Sequence, residues 1–192
     1  NWNSAQTVTV TGVDDNLVDG NINTTITMAV VDASSDDNFD DVANQTVTAT
    51  TTDDDTAGFT LSKTTATVSE GADTDTYTVV LNAQPDSDVV ITVTSADTGE
   101  VTVSAAELTF TNGNWNSAQT VTLTGVDDNI IDGSVNTLVT MAVKDASSDD
   151  NFDGVSDQTV TVTTTDNDTA GFTLSSTTAT VTEAAGGGNT AT

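Results

Sequence analysis

The sequence predicts an all-β protein made of tandem β-sandwich modules. Val and Thr alternate along most of the chain, turn residues interrupt this alternation at short intervals, and a long stretch of sequence recurs. Alternation places apolar side chains on one face of a sheet and Thr on the solvent face, where β-branching still favours an extended backbone. Hydrophobic residues make up 35% of the chain, so we expect a folded protein with a thin core.

The repeat has an offset of 113 residues, because residues 1–70 and 114–183 are identical at 55 of their 70 positions. The alternation stops in an acidic run at residues 52–55, restarts at Phe59, and breaks again at residues 166–168. We therefore predict module boundaries at these breaks. Residues 1–54 are the C-terminal half of one repeat, 55–167 a complete repeat, and 168–192 the N-terminal start of the next, which indicates a segment of a longer polypeptide.

Seven main strands, A to G, are predicted in the complete repeat. They span about residues 58–69, 76–82, 88–95, 107–111, 118–126, 135–144 and 158–165, with a short extra strand at 100–103. This number of short strands is typical of a Greek-key sandwich of the immunoglobulin-like type. The predicted inward-facing residues are Phe59, Leu61, Val68, Tyr77, Val79, Leu81, Val89, Ile91, Val93, Leu108, Phe110, Val121, Leu123, Val139, Met141, Val143, Val160 and Val162.

The composition excludes several classes of function. The net charge is −28, with only two Lys or Arg residues against 30 Asp and Glu, and the chain contains neither His nor Cys. Nucleic acid is not expected as a partner because the chain has no basic patch that could neutralise phosphates. Membrane insertion is not expected because no apolar run is long enough. Without His no Ser-His-Asp arrangement exists, so we predict that the protein is not an enzyme.

Strand direction brings acidic residues to one end of the predicted sandwich. If successive strands alternate in direction, the A–B, C–D and E–F loops and the end of strand G share one end, which we call the acidic end. Carboxylates crowded there repel one another, and a hard divalent cation with six to eight oxygen ligands relieves the repulsion. Zinc, copper and iron normally use His or Cys, so calcium is favoured. The acidic residues placed there are Glu70, Asp97, Glu100, Asp127, Asp128, Asp132, Asp166 and Asp168.

Several of these residues belong to a pattern that resembles the Calx-beta domain. The pattern consists of Val68-Ser69-Glu70-Gly71, Leu108-Thr109-Phe110, the run Val126–Asp132, and Asp166-Asn167-Asp168. It is most similar to the Calx-beta-like tandem repeats of large secreted bacterial adhesins and surface proteins. The resemblance covers residues 55–167 and both partial copies.

The resemblance implies a set of calcium ligands. They come from the glutamate after strand A, the E–F loop and the aspartates after strand G, with a backbone carbonyl from the E–F loop. In the complete repeat these positions are Glu70, Asp127, Asp128, Ile130, Asp132, Asp166 and Asp168. In the partial copies they are Asp14, Asp15, Leu17, Asp19, Asp53, Asp55 and Glu183.

These observations lead to a main functional hypothesis and three alternatives. The main hypothesis is a calcium-stabilised repeat that extends an extracellular bacterial surface adhesin or fibre, with neighbouring repeats as partners and a host or matrix ligand at a tip outside this segment. The first alternative is a self-assembling filament or surface-layer subunit completed by strand pairing between identical chains. The second is an acidic surface adapted to salt, without specific calcium sites, and the third is a module that binds sugar or host protein.

Overall fold

The computed structural model describes residues 2–181 and 183. Apart from four short 3-10 helices, at Asp32–Ser34, Asp37–Phe39, Asp145–Ser147 and Asp150–Phe152, its regular structure is β. No helix in this part of the chain has the length and apolarity needed to cross a membrane. The strands are β1 Ile22–Met28, β2 Gln45–Thr51, β3 Phe59–Leu61, β4 Thr65–Ser69, β5 Thr74–Leu81, β6 Val89–Ser95, β7 Val101–Val103, β8 Glu107–Phe110, β9 Gln119–Gly125, β10 Val135–Val143 and β11 Gln158–Thr165.

Strands β3 to β11 form a two-sheet sandwich. One sheet has the order β4-β11-β10-β6-β8 and the other β3-β5-β9-β7. All pairs are antiparallel except β11 with β4, which is parallel. The prediction of an all-β, immunoglobulin-like sandwich is confirmed, as are the positions of predicted strands B to G and of the short strand at 100–103.

The core lies between the two sheets and consists of the apolar residues selected by the alternation. Tyr77 of one sheet reaches across it, and its hydroxyl donates to Met141 Sδ of the other sheet at 2.9 Å. Of the predicted inward-facing residues, Leu61 and Val143 are half-buried at the margin, and the others are buried. The alternating pattern was therefore sufficient to identify most of the core.

The prediction of one continuous strand A was wrong. The chain bends between β3 and β4, where Ser62 exchanges hydrogen bonds with Thr78: the Ser62 amide donates to Thr78 O at 3.0 Å and the Thr78 amide to Ser62 Oγ at 2.9 Å. After the bend β4 leaves the sheet of β3 and pairs with β11 in the opposite sheet. The segment predicted as a single strand therefore forms an edge strand in each sheet. β3 lies at the edge beside β5, and β4 lies at the edge beside β11.

The loop between β10 and β11 contains a core residue that the sequence analysis missed. Phe152 is fully buried although it lies in an acidic run. Asp149 holds this loop against the β5–β6 turn, because Oδ2 accepts hydrogen bonds from the amides of Asp86 at 2.7 Å and Ser87 at 2.9 Å. Its Oδ1 accepts from the Asn151 amide at 2.9 Å and caps the 3-10 helix.

Strands β1 and β2 reproduce the β10–β11 hairpin 113 residues earlier. Ile22 pairs with Thr51 as Val135 pairs with Thr164. Several apolar residues of this first copy are exposed, whereas their counterparts in the sandwich are buried. The exposed residues with buried counterparts are Val8, Val10, Met28, Phe39 and Val47.

Candidate metal centre

The acidic end of the sandwich is organised around Glu70, the residue that follows β4. Its side chain is only 4% exposed. Its amide donates to Thr165 O at 3.1 Å, and its Oε2 accepts from the Asn167 amide at 3.3 Å. Gly71 and Ala72 then turn the chain with positive φ angles of 89° and 67°. The end of β4 is thus held beside the end of β11.

Gly125 brings the end of β9 to the same place. A Cβ atom at this position would lie 2.1 Å from the carbonyl oxygen of Ser69. Only glycine therefore lets the backbones of β9 and β4 come this close together. The Gly125 amide donates to Asp73 O at 3.0 Å, and the next amide, of Val126, donates to Glu100 O at 2.9 Å. The β9–β10 loop therefore begins next to both Glu70 and Glu100.

Carboxylates shape the β9–β10 loop by accepting its backbone amides. Asp128 Oδ1 accepts from the Ile130 amide at 2.6 Å, and Asp166 Oδ2 accepts from the Gly133 amide at 2.9 Å. Asp166 Oδ1 also accepts from the Asp168 amide at 2.6 Å. These backbone hydrogen bonds lower the pKa of Asp166, because they stabilise its ionised form.

Two carboxylate triads result. In each triad, one oxygen from every residue lies within 4.8 Å of the others. The first triad comprises Glu70, Asp166 and Asp168, and the second comprises Glu100, Asp128 and Asp132. Within residues 2–181 and 183 these are the only such sets of three.

The triads contain buried carboxylate oxygens without a hydrogen-bond partner. Glu100 is 8% exposed, and its Oε2, like Asp168 Oδ2, is buried with no partner. Burial raises the pKa of Glu70, Glu100 and Asp168, and the neighbouring carboxylates raise each further. Buried groups of this kind are unfavourable unless something binds them. The arrangement therefore fits a positively charged ligand.

No basic side chain compensates this charge. The sequence contains two Lys and no Arg or His. Lys63 forms an ion pair with Asp75, and Lys144 binds Glu107 with Nζ 2.6 Å from Oε1. Both lysines are thus engaged away from the triads, and neutralisation has to come from outside the chain.

The structure brings together most of the residues that the sequence analysis selected in the complete repeat. Five of them belong to the triads: Glu70, Asp128, Asp132, Asp166 and Asp168. Asp127 lies at the same end and accepts from Asn167 Nδ2 at 3.2 Å, while Ile130 contributes the amide bound by Asp128 and has an exposed side chain. Glu100 was absent from the selected ligands, although strand direction had already placed it at this end.

The loop of the first copy has the same geometry, but none of its acidic residues joins a triad in the part of the chain that the structure describes. Asp53 Oδ2 accepts from the amides of Gly20 at 2.7 Å and Asp19 at 3.2 Å, and Asp15 Oδ1 accepts from the Leu17 amide at 2.9 Å. Burial, followed by the charges of Asp53, Asp54, Asp14 and Asp15, raises the pKa of Asp55.

Glu183, the expected ligand of the third copy, joins no triad. It is exposed, and residues 168–181 before it form no strand. Its counterpart Glu70 is positioned by β4 and β11. Without pairing of the preceding segment, Glu183 is not brought near other carboxylates in the described part of the chain.

All the side-chain ligand atoms that the triads offer to a metal are carboxylate oxygens on loops or at strand ends. Calcium binds six to eight oxygens in flexible geometry, and loop carboxylates suit it better than they suit the strict octahedron of magnesium. The unpartnered oxygens of Glu100 and Asp168 are suitable ligand atoms. This set of ligand atoms therefore fits one or more calcium ions.

Comparison of the sequence with models of protein families and with curated proteins gives no match. Solved structures with a similar fold include the periplasmic chaperone SfaE, with 11% identity, a TM-score of 0.43, and coverage of 57% of this chain and 58% of that chain. The apo form of the Calx CBD1 domain has 15% identity and a TM-score of 0.44, over 59% of this chain and 100% of that chain. Domains 4 and 5 of the S-layer protein SbsC have 22% identity and a TM-score of 0.41, over 64% and 52%.

Proposed function

We propose that this protein is a calcium-stabilised structural repeat of a long extracellular bacterial surface adhesin or fibre, in which it acts as a stiff extender. Residues 55–167 are one complete repeat in this proposal, flanked by parts of two others. Calcium binds Glu70, Asp166 and Asp168, and also Glu100, Asp128 and Asp132. The observation that carries the proposal is the convergence of these two triads, with buried and unpartnered oxygens, at one end of a sandwich whose two lysines pair only with residues outside the triads.

Thermal unfolding in EDTA and in calcium, at equal ionic strength, tests the proposal. Extracellular calcium modules bind with Kd values of about 0.1–1 mM. A calcium concentration 100 times Kd stabilises the folded state by about 2.7 kcal/mol per site. We expect the melting temperature to rise with millimolar calcium, with a smaller rise in magnesium. The same melting temperature in EDTA and calcium would exclude a structural role for the ion.

A salt-adapted surface makes a different prediction in the same experiment. Screening acts on all surface carboxylates and depends on ionic strength rather than on the identity of the cation. Sodium chloride at matched ionic strength would then stabilise the protein as much as calcium does. Calcium-specific stabilisation that titrates to saturation separates the two.

A second candidate, a self-assembling extracellular filament, is favoured by the exposed apolar residues around β1 and β2. Val10, Met28, Phe39 and Val47 are between 39% and 57% exposed, although their counterparts are core residues. Strands from an identical chain would cover them. Sedimentation velocity over a wide concentration range tests this: polymers that dissociate on dilution support a filament, and a stable monomer contradicts it.

A further inference from the structure

The loop before β1 is bound to the opposite end of the sandwich, where the β5–β6, β8–β9 and β10–β11 loops lie. Leu17 forms a parallel β-bridge with Gln84 in the β5–β6 turn. The Val18 amide donates to Gln84 O at 3.1 Å, and the Gln84 amide donates to Asn16 O at 2.7 Å. The short segment Asn16–Val18, which we call the docking segment, is thus paired with the sandwich by its backbone.

Side chains extend this contact. Asn151, in the β10–β11 loop, donates from Nδ2 to Val18 O at 2.8 Å. Val18 is half-buried and packs against the margin of the hydrophobic core. The docking segment therefore contacts two loops of the sandwich through both backbone and side-chain interactions.

The receiving surface is held in place by the sandwich itself. Gln84 Nε2 donates to both the backbone O and the Oδ1 of Asn112, at 3.2 and 3.0 Å, and Asn112 Nδ2 donates to Pro85 O at 3.2 Å. Asn151 is held by a hydrogen bond from its backbone amide to Asp149 Oδ1. Asp149 in turn accepts the amides of Asp86 and Ser87 in the β5–β6 turn. All three loops are therefore linked without any residue of the docking segment, so the surface is pre-organised for it.

The docking segment recurs as Asn129–Ile131, in the β9–β10 loop at the acidic end. There it has no such contact: Ile130 is 61% exposed and Ile131 57% exposed. Ile130 and Ile131 thus form an exposed apolar pair, whereas Leu17 and Val18 at the same repeat positions are half-buried against the sandwich. The backbone of this loop is set by the hydrogen bond from the Ile130 amide to Asp128, as that of the first copy is set by Leu17 and Asp15.

We propose that Ile130 and Ile131 form an interaction surface for a further copy of this repeat, and that the copy binds through its Gln84 turn and its Asn151 as the sandwich binds Leu17 and Val18. Each repeat then carries a docking segment at its acidic end and a receiving surface at the opposite end. The contact is heterologous, so it joins repeats head to tail. It does not depend on the proposed calcium binding, although the two share a loop.

Amide hydrogen exchange on the full chain tests whether the observed contact exists in solution. We expect the Gln84 and Val18 amides to be protected, and Val18→Ser or Asn151→Ala to accelerate their exchange about 5- to 10-fold. The matched controls are Ile131→Ser and Asn38→Ala, the same repeat positions without this contact, which leave that exchange unchanged. Unprotected Gln84 and Val18 amides, or equal effects of variants and controls, would contradict the contact.

A second experiment tests the Ile130–Ile131 surface directly. Replacing Leu17 and Val18 by Asp vacates the receiving surface of each molecule, so that the Ile130–Ile131 loop of another copy can occupy it. We expect concentration-dependent association, measured by sedimentation equilibrium up to about 1 mM, since single loop contacts bind weakly. Adding Ile130→Asp and Ile131→Asp should abolish it. Absence of association, or association that survives these two changes, would overturn the proposal, and protection of core amides verifies that the variants fold.

Discussion

The backbone of Gly125 lies against the carbonyl oxygen of Ser69, so closely that a side chain at position 125 has no room. This contact joins the end of β9 to the end of β4 and starts the β9–β10 loop beside Glu70. The contact is one of backbone with backbone, so neither partner can move aside by changing a rotamer.

Gly125→Ala is therefore expected to destabilise the sandwich by about 1–3 kcal/mol or more, because the new Cβ forces the two strands apart. It should also weaken calcium binding in the proposed site, since the loop and Glu70 separate. Urea unfolding and calcium titration measure the two effects. Gly12→Ala is the matched control at the same repeat position, where the nearest atom to a new Cβ is Thr51 Cγ2 at 3.8 Å. A similar loss of stability in both variants would contradict this explanation.

Glu100→Gln separates the cost of the buried charge from its use as a ligand. The substitution keeps the side-chain size but removes a buried carboxylate that has an unpartnered oxygen and acidic neighbours. We expect the melting temperature in EDTA to rise and the further rise on adding calcium to shrink.

The control for this variant is Glu107→Gln. Glu107 is half-exposed and paired with Lys144, and such surface pairs contribute about 0–1 kcal/mol. Its loss should leave the response to calcium unchanged. An unaltered calcium response in Glu100→Gln would show that Glu100 is not a ligand.

Asp149 should make the stability depend on acid pH. Its burial tends to raise the pKa, but the amide hydrogen bonds of Ser87, Asn151 and Asp86 outweigh this and hold the pKa below its usual value. Since the folded pKa lies below the unfolded one, the stabilisation is present above the unfolded pKa and is lost as the pH falls through the folded pKa. Asp149→Asn should cost about 1–3 kcal/mol at pH 7 and should remove the part of the acid-induced loss of stability that sets in as the pH falls through the ordinary pKa of an Asp carboxyl.

Unfolding free energies measured from pH 7 to 2 test this prediction. Asp36→Asn is the matched control at the same repeat position. Asp36 accepts hydrogen bonds from Asn38 within its own loop, whereas Asp149 also binds the β5–β6 turn. We expect it to change the stability of the sandwich little. Parallel pH profiles for the native protein and Asp149→Asn would contradict the assigned role.

Phe152→Ala should cost about 3–5 kcal/mol, as large-to-small changes of fully buried aromatic residues do. Phe152 is fully buried, whereas its counterpart Phe39 is 57% exposed. Phe39→Ala is therefore expected to leave stability nearly unchanged. Urea denaturation of the two variants provides the comparison, and equal effects would show that the two copies pack alike in solution.

The sequence was sufficient to predict the sandwich because its signals are periodic. Val and Thr alternate over each long strand, so β5, β6, β9, β10 and β11 were located within two residues. The convergence of Glu70 with the β9–β10 loop also followed from strand direction alone, which requires no knowledge of side-chain positions.

Other features depend on single contacts that leave no periodic signal. Phe152 is a lone apolar residue in an acidic run, and its burial depends on the contact of Asp149 with the β5–β6 turn. The break in strand A depends on the bonds between Ser62 and Thr78, which are common residue types throughout the chain. Glu100 is buried where its carbonyl oxygen accepts the Val126 amide, next to the close approach of Gly125 to Ser69, and this backbone contact has no signal in the sequence.

The four strands at the edges of the two sheets are short, with three residues in β3 and β7, four in β8 and five in β4. Adjacent domains of nearly identical sequence are prone to misfold together, because the strands of one can replace those of its neighbour during synthesis. Short edge strands offer few unpaired backbone N–H and C=O groups to a strand from a neighbouring domain. In the tandem array that we propose, the bend that divides the first strand of the sandwich would help neighbouring repeats to fold one at a time.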